Sequence, residues 1–467
     1  MPVKIVIDPL TRLEGHLGIE VEVDDNKVIS ARCRGNMFRG FELILKGRAP
    51  QDALHITQRI CGVCSASHGC ASVMCLESAF GIVPPDNAKI IRNLILGADC
   101  LQSHILHFYH LAILDYVLGP DIPPFLPRYK GDYRLSKSMN RTFMEHYLEA
   151  FKILGIAHEM RAIWGGKSPH HVAVVIGGVT EKPTVDKVTA YVWRLRQIRE
   201  FIDNVYLPDV MTIAKIYEDY RNIGKGYGNF LAYGMEGLVG GSRNTLFRSG
   251  VYINGEYKRL DFSRISEEIT SSWYRENTDD VKSSESQPDV EKEEAYTWIK
   301  APRYEGEVLE TGPLARMWIN GEYSQGISVI DRHLARAVET KKIVDSLEEQ
   351  IKSIKIGDPV YKKFEIPSFG SGAGFLEAPR GALGHWINVK DSKITHYQVI
   401  SPSTWNLSPR DSKGRFGPVE KALIGTPVVD IDNPIEVARV VRSFDPCLAC
   451  AVHIIKPNGE LKKFRIV

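Results

Sequence analysis

The chain has 467 residues, 43% of them hydrophobic and 25% charged, which is enough apolar material for a sizeable globular core and excludes a disordered or fibrous chain. A formal net charge of +2 gives no reason to expect nucleic acid or an anionic membrane as partner. No apolar run reaches membrane-spanning length, and MPVKIVIDPLTR lacks the charged-then-apolar order of an export signal, so no transmembrane segment and no export address of its own are expected.

Ile5 and Ile7, then Ile19, Val21 and Val23, are each separated by one residue. The alternation predicts strands, with Asp24-Asp25-Asn26 as the turn of an N-terminal β-meander. From about residue 51 helical periodicity takes over, and Leu94 to Leu118 predicts a long buried helix. Helices are also expected over 133–160 and 182–223, the second opening after Pro183 with Thr184 as its cap. Residues 225–262, with eight glycines and runs such as Val251-Tyr252-Ile253, predict turns and short strands. The polar stretch Asn277 to Glu294 predicts a solvated surface loop. A further long helix is expected over 327–353 and strands near Ile394 to Ile400. No repeat or low-complexity linker divides the chain, so one α+β unit over residues 1–467 is expected.

Four of the eight cysteines form two Cys-x-x-Cys pairs, Cys61-Gly62-Val63-Cys64 and Cys447-Leu448-Ala449-Cys450. Cys33, Cys70, Cys75 and Cys100 stand singly and are expected to be buried as small apolar residues. Eight cysteines are too few for a disulfide scaffold in a chain this long, and the tight pairs favour metal or redox chemistry. Thiolates are soft donors, so converging pairs can hold several thiophilic metals. On ligand type alone structural zinc comes first, an iron-sulfur cluster second and nickel behind both. The 383 positions between Cys64 and Cys447 count somewhat against a compact zinc ribbon. His104, His107 and His110 recur every third residue, drift around the presumed helix and read as core or interface histidines, not as a shared metal site.

The flanks are more specific. Arg59-Ile60-Cys61-Gly62-Val63-Cys64 with His68 after it, and Asp445-Pro446-Cys447-Leu448-Ala449-Cys450-Ala451-Val452-His453, together resemble the paired signature of the nickel-iron hydrogenase large subunit, uptake or respiratory type. Further agreement lies in Asp8-Pro-Leu-Thr-Arg-Leu-Glu14-Gly-His16-Leu, His107-Phe-Tyr-His110-Leu, Gly165-Gly-Lys-Ser-Pro-His-His171 and Ser272-Trp-Tyr274. It continues through Lys300-Ala-Pro-Arg-Tyr304, Gly312-Pro-Leu-Ala-Arg316 and Glu377-Ala-Pro-Arg-Gly-Ala-Leu-Gly-His-Trp386, essentially end to end. The resemblance implies a large, mainly helical bundle with small β regions at the N-terminus and in the C-terminal half. It implies reversible heterolytic cleavage of H2, with electrons passed to a partner.

By the same resemblance Cys61, Cys64, Cys447 and Cys450 bind nickel, and Cys64 and Cys450 also bridge to an iron carrying carbon monoxide and cyanide. Arg380 stands beside that pocket, with Pro379, Ser401, Pro402, Ser403 and Asp445 around it; an apolar residue is common where Ser401 stands. Heterolysis requires a Lewis-acidic metal and a base, for which Cys447 or Arg380 serves, with Glu14 as the relay carboxylate beside Cys447. Gln102-Ser103-His104 has serine where many relatives carry an aspartate that pairs with the arginine, so Arg380 is expected to be differently poised. Glu42, the backbone carbonyl of Val399 and His453 resemble a magnesium site of hard donors.

His170 and His171 lie in a loop that faces the electron-transfer partner in relatives. No further cysteine set is available, so iron-sulfur clusters are expected only in an obligate small subunit. Placement is then periplasmic or membrane-associated through that partner's export signal, with a cytoplasmic location as the alternative. Residues 454–467 resemble the extension removed by a maturation protease, whereas their local pattern alone is a hairpin turning at Pro457-Asn458-Gly459. Two other readings compete: a non-catalytic structural subunit of a respiratory complex, usually marked by loss of the cysteines, and a zinc-stabilised binding protein.

Overall fold

Asp25 and Asn26 both take positive φ, 46° and 54°, the conformation of a two-residue hairpin whose twist matches that of its strands. They join Leu17–Asp24 to Lys27–Gly35, and Val3–Ile7 pairs antiparallel with the first, completing the N-terminal meander. The structure is a computed structural model that describes residues 2–123, 125–126, 131–235, 246–275 and 287–451. Part of the glycine-rich region, much of the predicted polar loop and the whole of 454–467 therefore lie outside the described residues.

The helix Asp86–Leu106 is buried along almost its whole length. It begins earlier than the periodicity indicated, directly after Pro84-Pro85, because polar Asp86, Asn87 and Lys89 obscure the apolar pattern of its first turn. Beyond Leu106 it does not continue as predicted: His107–Ala112 widen into a π turn and Ile113–Asp115 tighten into a 3₁₀ turn. Lys137–Gly165 packs against it, opened by Ser136, whose hydroxyl accepts from the Met139 N–H. Val329–Lys352 packs on it as well, opened by a capping box between Ser328 and Asp331.

The stretch 182–223 is not one helix. Thr184 caps Val185–Phe201 as expected, but Ile202–Tyr206 form a π turn before Leu207–Ile216 resumes and Glu218–Asn222 end in a 3₁₀ turn. Pro208 has no N–H to offer the carbonyl four residues back, and the π turn absorbs that break.

The C-terminal sheet runs Gly370–Ala378, Gly381–Lys390, Lys393–Ile400, antiparallel and in chain order. Gly370, Gly372 and Gly374 alternate along the first strand and so share one face. That face lies on the helix Ser65–Phe80: a Cβ on Gly372 would sit 2.3 Å from the Ala79 nitrogen, and one on Gly374 2.3 Å from the Ala71 carbonyl oxygen. A strand face without side chains brings helix and sheet backbones together, and with them Cys64 at the helix start and Arg380 in the turn after Ala378. The principal apolar core includes all four cysteines of the two pairs. No helix among the described residues is long and apolar enough to cross a membrane.

Candidate metal centre

Each cysteine pair is held by its own backbone. Cys64 stands at the N-terminus of Ser65–Phe80, and the Val63 and Cys64 N–H groups donate to Cys61 Sγ at 3.3 and 3.4 Å. In the second pair Cys447 N–H donates to Ser403 Oγ at 2.9 Å and Leu448 N–H to the Glu14 carbonyl at 2.7 Å. Arg39 joins the two segments: it donates to the Ala449 carbonyl at 3.1 Å, to the Arg59 carbonyl at 2.8 Å, and to the Ile60 carbonyl. The pairs meet with Cys61 Sγ 3.4 Å from Cys447 Sγ, Cys64 Sγ 3.3 Å from Cys450 Sγ, and Cys447 Sγ 2.9 Å from Cys450 Sγ. All four sulfurs lie within 4.8 Å of one another, and none of the four residues is more than 4% exposed. Among the described residues no other group of three or more His, Cys, Asp or Glu side chains has such ligand geometry.

Four thiolates cannot share a dry pocket without a cation. Hydrogen bonds from the Cys447, Cys450 and Cys64 thiols hold Cys61 well below the usual thiol range, aided by Arg380. The other three are pushed up, Cys64 chiefly through its contact with Cys447, and Cys447 and Cys450 by burial. One charge is thus tolerated and the rest suppressed, so a bound metal is what makes all four anionic.

Arg380 is buried, donates from Nε to the Asp445 carbonyl at 3.0 Å, and has Nη2 3.1 Å from Asp445 Oδ1. The carboxylate beside it is that of Asp445, adjacent to the second cysteine pair, and the buried Ser103 supplies none. Burial opposes the charge of Arg380, but Asp445 and the thiols outweigh it and hold the group well above its ordinary value. Its Nη1 has no acceptor among the described residues, which leaves a buried donor for an anionic group.

The pocket wall is fixed from outside. The Pro379 carbonyl accepts from Arg316 at 2.9 Å, and Arg316 is itself paired with Glu377 at 2.6 Å. Ser401 caps Pro402–Asn406, accepting from the Thr404 N–H at 3.2 Å. A hydroxyl where an apolar residue is common therefore serves its own helix. Glu14 pairs in a parallel bridge with Cys447. Burial raises its carboxyl, Cys61 adds to the rise, and Arg380 and Arg39 oppose it.

At the magnesium candidate, Glu42 Oε1 accepts from the Val399 N–H at 2.9 Å. Glu267 is buried beside it, 3.4 Å from Lys300 Nζ, and is pushed up to about 7 by burial, with the charge of Glu42 adding to the rise. His453 lies outside the described residues. Of the two histidines expected to face a partner, His171 is 3% exposed and packs on the Ala66 carbonyl, so only His170 keeps exposed surface. His104, His107 and His110 diverge: the first meets Glu339 at 2.9 Å, the second donates to the Arg442 carbonyl at 2.6 Å, and the third lies against Tyr147 and Phe151.

Two contributors were not identified from the sequence. Arg39 follows a strand and resembles any surface arginine until the chain closes around it. His68, noted only as a flank, places Nε2 3.4 Å from Cys450 Sγ; its spacing of four from Cys64 on one helix face was the available clue.

Residues 39–122, 119–327 and 320–453 match the family model described as nickel-dependent hydrogenase, and residues 4–33 match one described as HoxL-like. The periplasmic NiFeSe hydrogenase large subunit of Desulfomicrobium baculatum is 44% identical, over 97% of this chain and 95% of its own length. The quinone-reactive Ni/Fe-hydrogenase large chain of Wolinella succinogenes is 32% identical over 100% and 98%. The solved Ni-Fe-Se hydrogenase from D. vulgaris Hildenborough in the reduced state matches with a TM-score of 0.94 at 45% identity, covering 97% of this chain and 100% of that one. Although the names of some relatives include selenium, the four soft donors gathered here are all cysteine. By sequence, fold and clustered thiols, the chain belongs to the nickel-dependent hydrogenase family as one of its large subunits.

Proposed function

We propose that this chain is the catalytic subunit of a nickel-iron hydrogenase that cleaves H2 heterolytically and reversibly and passes the electrons to an iron-sulfur small subunit. The observation that carries this is the closure of four buried thiols beside a buried guanidinium with unused N–H groups. All four sulfurs would hold nickel, and Cys64 and Cys450 would be shared with an iron. Carbon monoxide and cyanide on that iron fit the donor set, since Arg380 Nη1 offers buried N–H groups that no described acceptor takes up. When bound, the centre supplies the Lewis acidity and redox capacity that H2 cleavage needs.

The chain's own task is to handle the proton. Cys447 Sγ is the base and Arg380 gives electrostatic support. Glu14 moves the proton onward: burial and nearby Cys61 raise its carboxyl above the ordinary glutamate value, which favours proton uptake there. The hydrogen bond from Leu448 N–H to its carbonyl keeps this residue beside Cys447.

Glu42, the Val399 carbonyl and His453 would hold magnesium, a reading supported by the half-buried carboxylate of Glu42 on the Val399 N–H and the carboxyl of Glu267 nearby. Cys33, Cys70, Cys75 and Cys100 are buried and belong to no group of ligands among the described residues, which leaves electron exit to clusters in the partner. Residues 1–453 would form one working unit. The family match ends at residue 453, which supports removal of 454–467 by a maturation protease. That tail carries Lys456, Lys462, Lys463 and Arg465 against Glu460, so its loss takes the formal charge from +2 to −1.

Infrared spectroscopy of the purified heterodimer tests the reading. Bands of iron-bound carbon monoxide and cyanide are expected, and their absence with zinc as the only bound metal would refute it.

A further inference from the structure

Behind Cys450 a chain of three buried side chains leads away from the metal centre into the C-terminal sheet. His68 Nε2 lies 3.4 Å from Cys450 Sγ, His68 Nδ1 lies 3.2 Å from His385 Nε2, and His385 Nδ1 lies 2.8 Å from the Tyr397 hydroxyl. None of the three is more than 3% exposed. The elements that carry them explain the alignment. His385 pairs with Gly374 across the sheet, at the glycine face where the helix bearing His68 lies closest. Tyr397 pairs with Ile387 on the next strand, two positions along, and so shares a face with His385.

We infer that Tyr397 and His385 are positioning residues that fix, through His68, an N–H donor on Cys450 Sγ. The inference rests on the metal reading above, because a metal-bound Cys450 is a thiolate and a thiolate only accepts. The direction of every bond then follows for neutral rings. His68 presents Nε2–H to the sulfur, so its Nδ1 must accept; His385 donates from Nε2, so its own Nδ1 must accept; and Tyr397 donates its O–H. Burial holds the Tyr397 phenol well above its ordinary range, so the hydroxyl keeps its proton. Removing that hydroxyl takes away the donor at His385 Nδ1 and with it the chain's hold on which nitrogen His68 turns to the sulfur. A donor on sulfur withdraws charge from the thiolate and makes the metal it binds easier to reduce. Neither Tyr397 nor His385 needs to touch the centre to have this effect.

Nickel content and the midpoint potential of the nickel signal, followed by electron paramagnetic resonance, would be measured on the heterodimer for four chains: unaltered, Tyr397→Phe, His385→Leu and His385→Gln. Tyr397→Phe and His385→Leu are expected to keep their nickel while the midpoint moves to lower potential, by about a tenfold change in the one-electron equilibrium or about 59 mV. His385→Gln still offers an amide N–H near the Nε2 position and is expected to keep the unaltered midpoint. Full nickel with an unmoved midpoint in both Tyr397→Phe and His385→Leu would overturn the inference and leave the metal reading standing. Loss of nickel from Tyr397→Phe would also overturn it, since an orienting hydroxyl leaves the four thiols in place. An unaltered heterodimer without nickel would remove the metal reading, and this inference with it.

Discussion

Cys450 meets three partners at once, Cys64 and Cys447 through sulfur and His68 through nitrogen, so its sulfur links both cysteine pairs to the helix that carries His68. Replacing it with serine exchanges a soft donor for a hard one. Cys450→Ser is expected to lower bound nickel and iron together and to abolish H2 turnover; full metal content with full turnover would exclude Cys450 as a ligand. Glu14→Gln keeps the backbone bridge to Cys447 and removes only the acid. Turnover is expected to fall by roughly a hundredfold or more while nickel content stays unchanged, since a positioned acid-base group contributes about that much. Unchanged kcat would give the proton another route. The residues inside the Cys-x-x-Cys and Ala-Pro-Arg motifs were legible in the sequence because their neighbours mark them. Arg39 and the pairing of Asp445 with Arg380 were not, since contacts made across 410 positions to Ala449, or across 65 to Asp445, leave no local trace.

At the level of elements, strands, long helices and caps were read where a period or a cap residue announced them: the meander, Thr184 before Val185–Phe201, and Val329–Lys352. The two π turns were missed, because one extra residue in a helical ladder shifts the apolar phase too little to see over a short segment. The glycine face of Gly370–Ala378 is alternation with its side chains deleted, so its partner helix could not be inferred from hydropathy. It yields a sharp expectation. Gly374→Val forces the sheet off Ser65–Phe80, where even a Cβ is 2.3 Å from a carbonyl oxygen. Metal-loaded heterodimer should fall below detection in purified material, and normal yield with normal nickel would show that the close approach is dispensable. Ser328→Ala removes a buried cap that also accepts from the Asp331 N–H at 3.3 Å. A loss of about 1 kcal/mol in chemical unfolding is expected.

For the molecule as a whole, buried carboxyl groups set how stability responds to pH. Glu420 is pushed up from 4.5 to about 7 by burial, although Cys33 N–H and the Tyr296 hydroxyl donate to it at 2.9 and 2.8 Å. Between those two values the folded chain holds a proton that the unfolded chain has released, so this group's contribution is full below pH 4.5 and is lost as pH rises to about 7. Its share is roughly 3 kcal/mol across the window. Glu420→Gln should flatten the fall of the unfolding midpoint over that range; an identical slope in the variant would assign the titration elsewhere. Intact mass of active enzyme addresses processing, with a chain ending at His453 expected and a competent chain still ending at Val467 contradicting it.

The central claim is that two cysteine pairs from opposite ends of the chain close one nickel centre. Nickel-edge X-ray absorption on the purified heterodimer tests it most directly. Bound nickel surrounded by sulfur donors with an iron neighbour is expected, with loss of that signal in Cys450→Ser. Zinc in place of nickel, or nickel coordinated by nitrogen and oxygen alone, would contradict it.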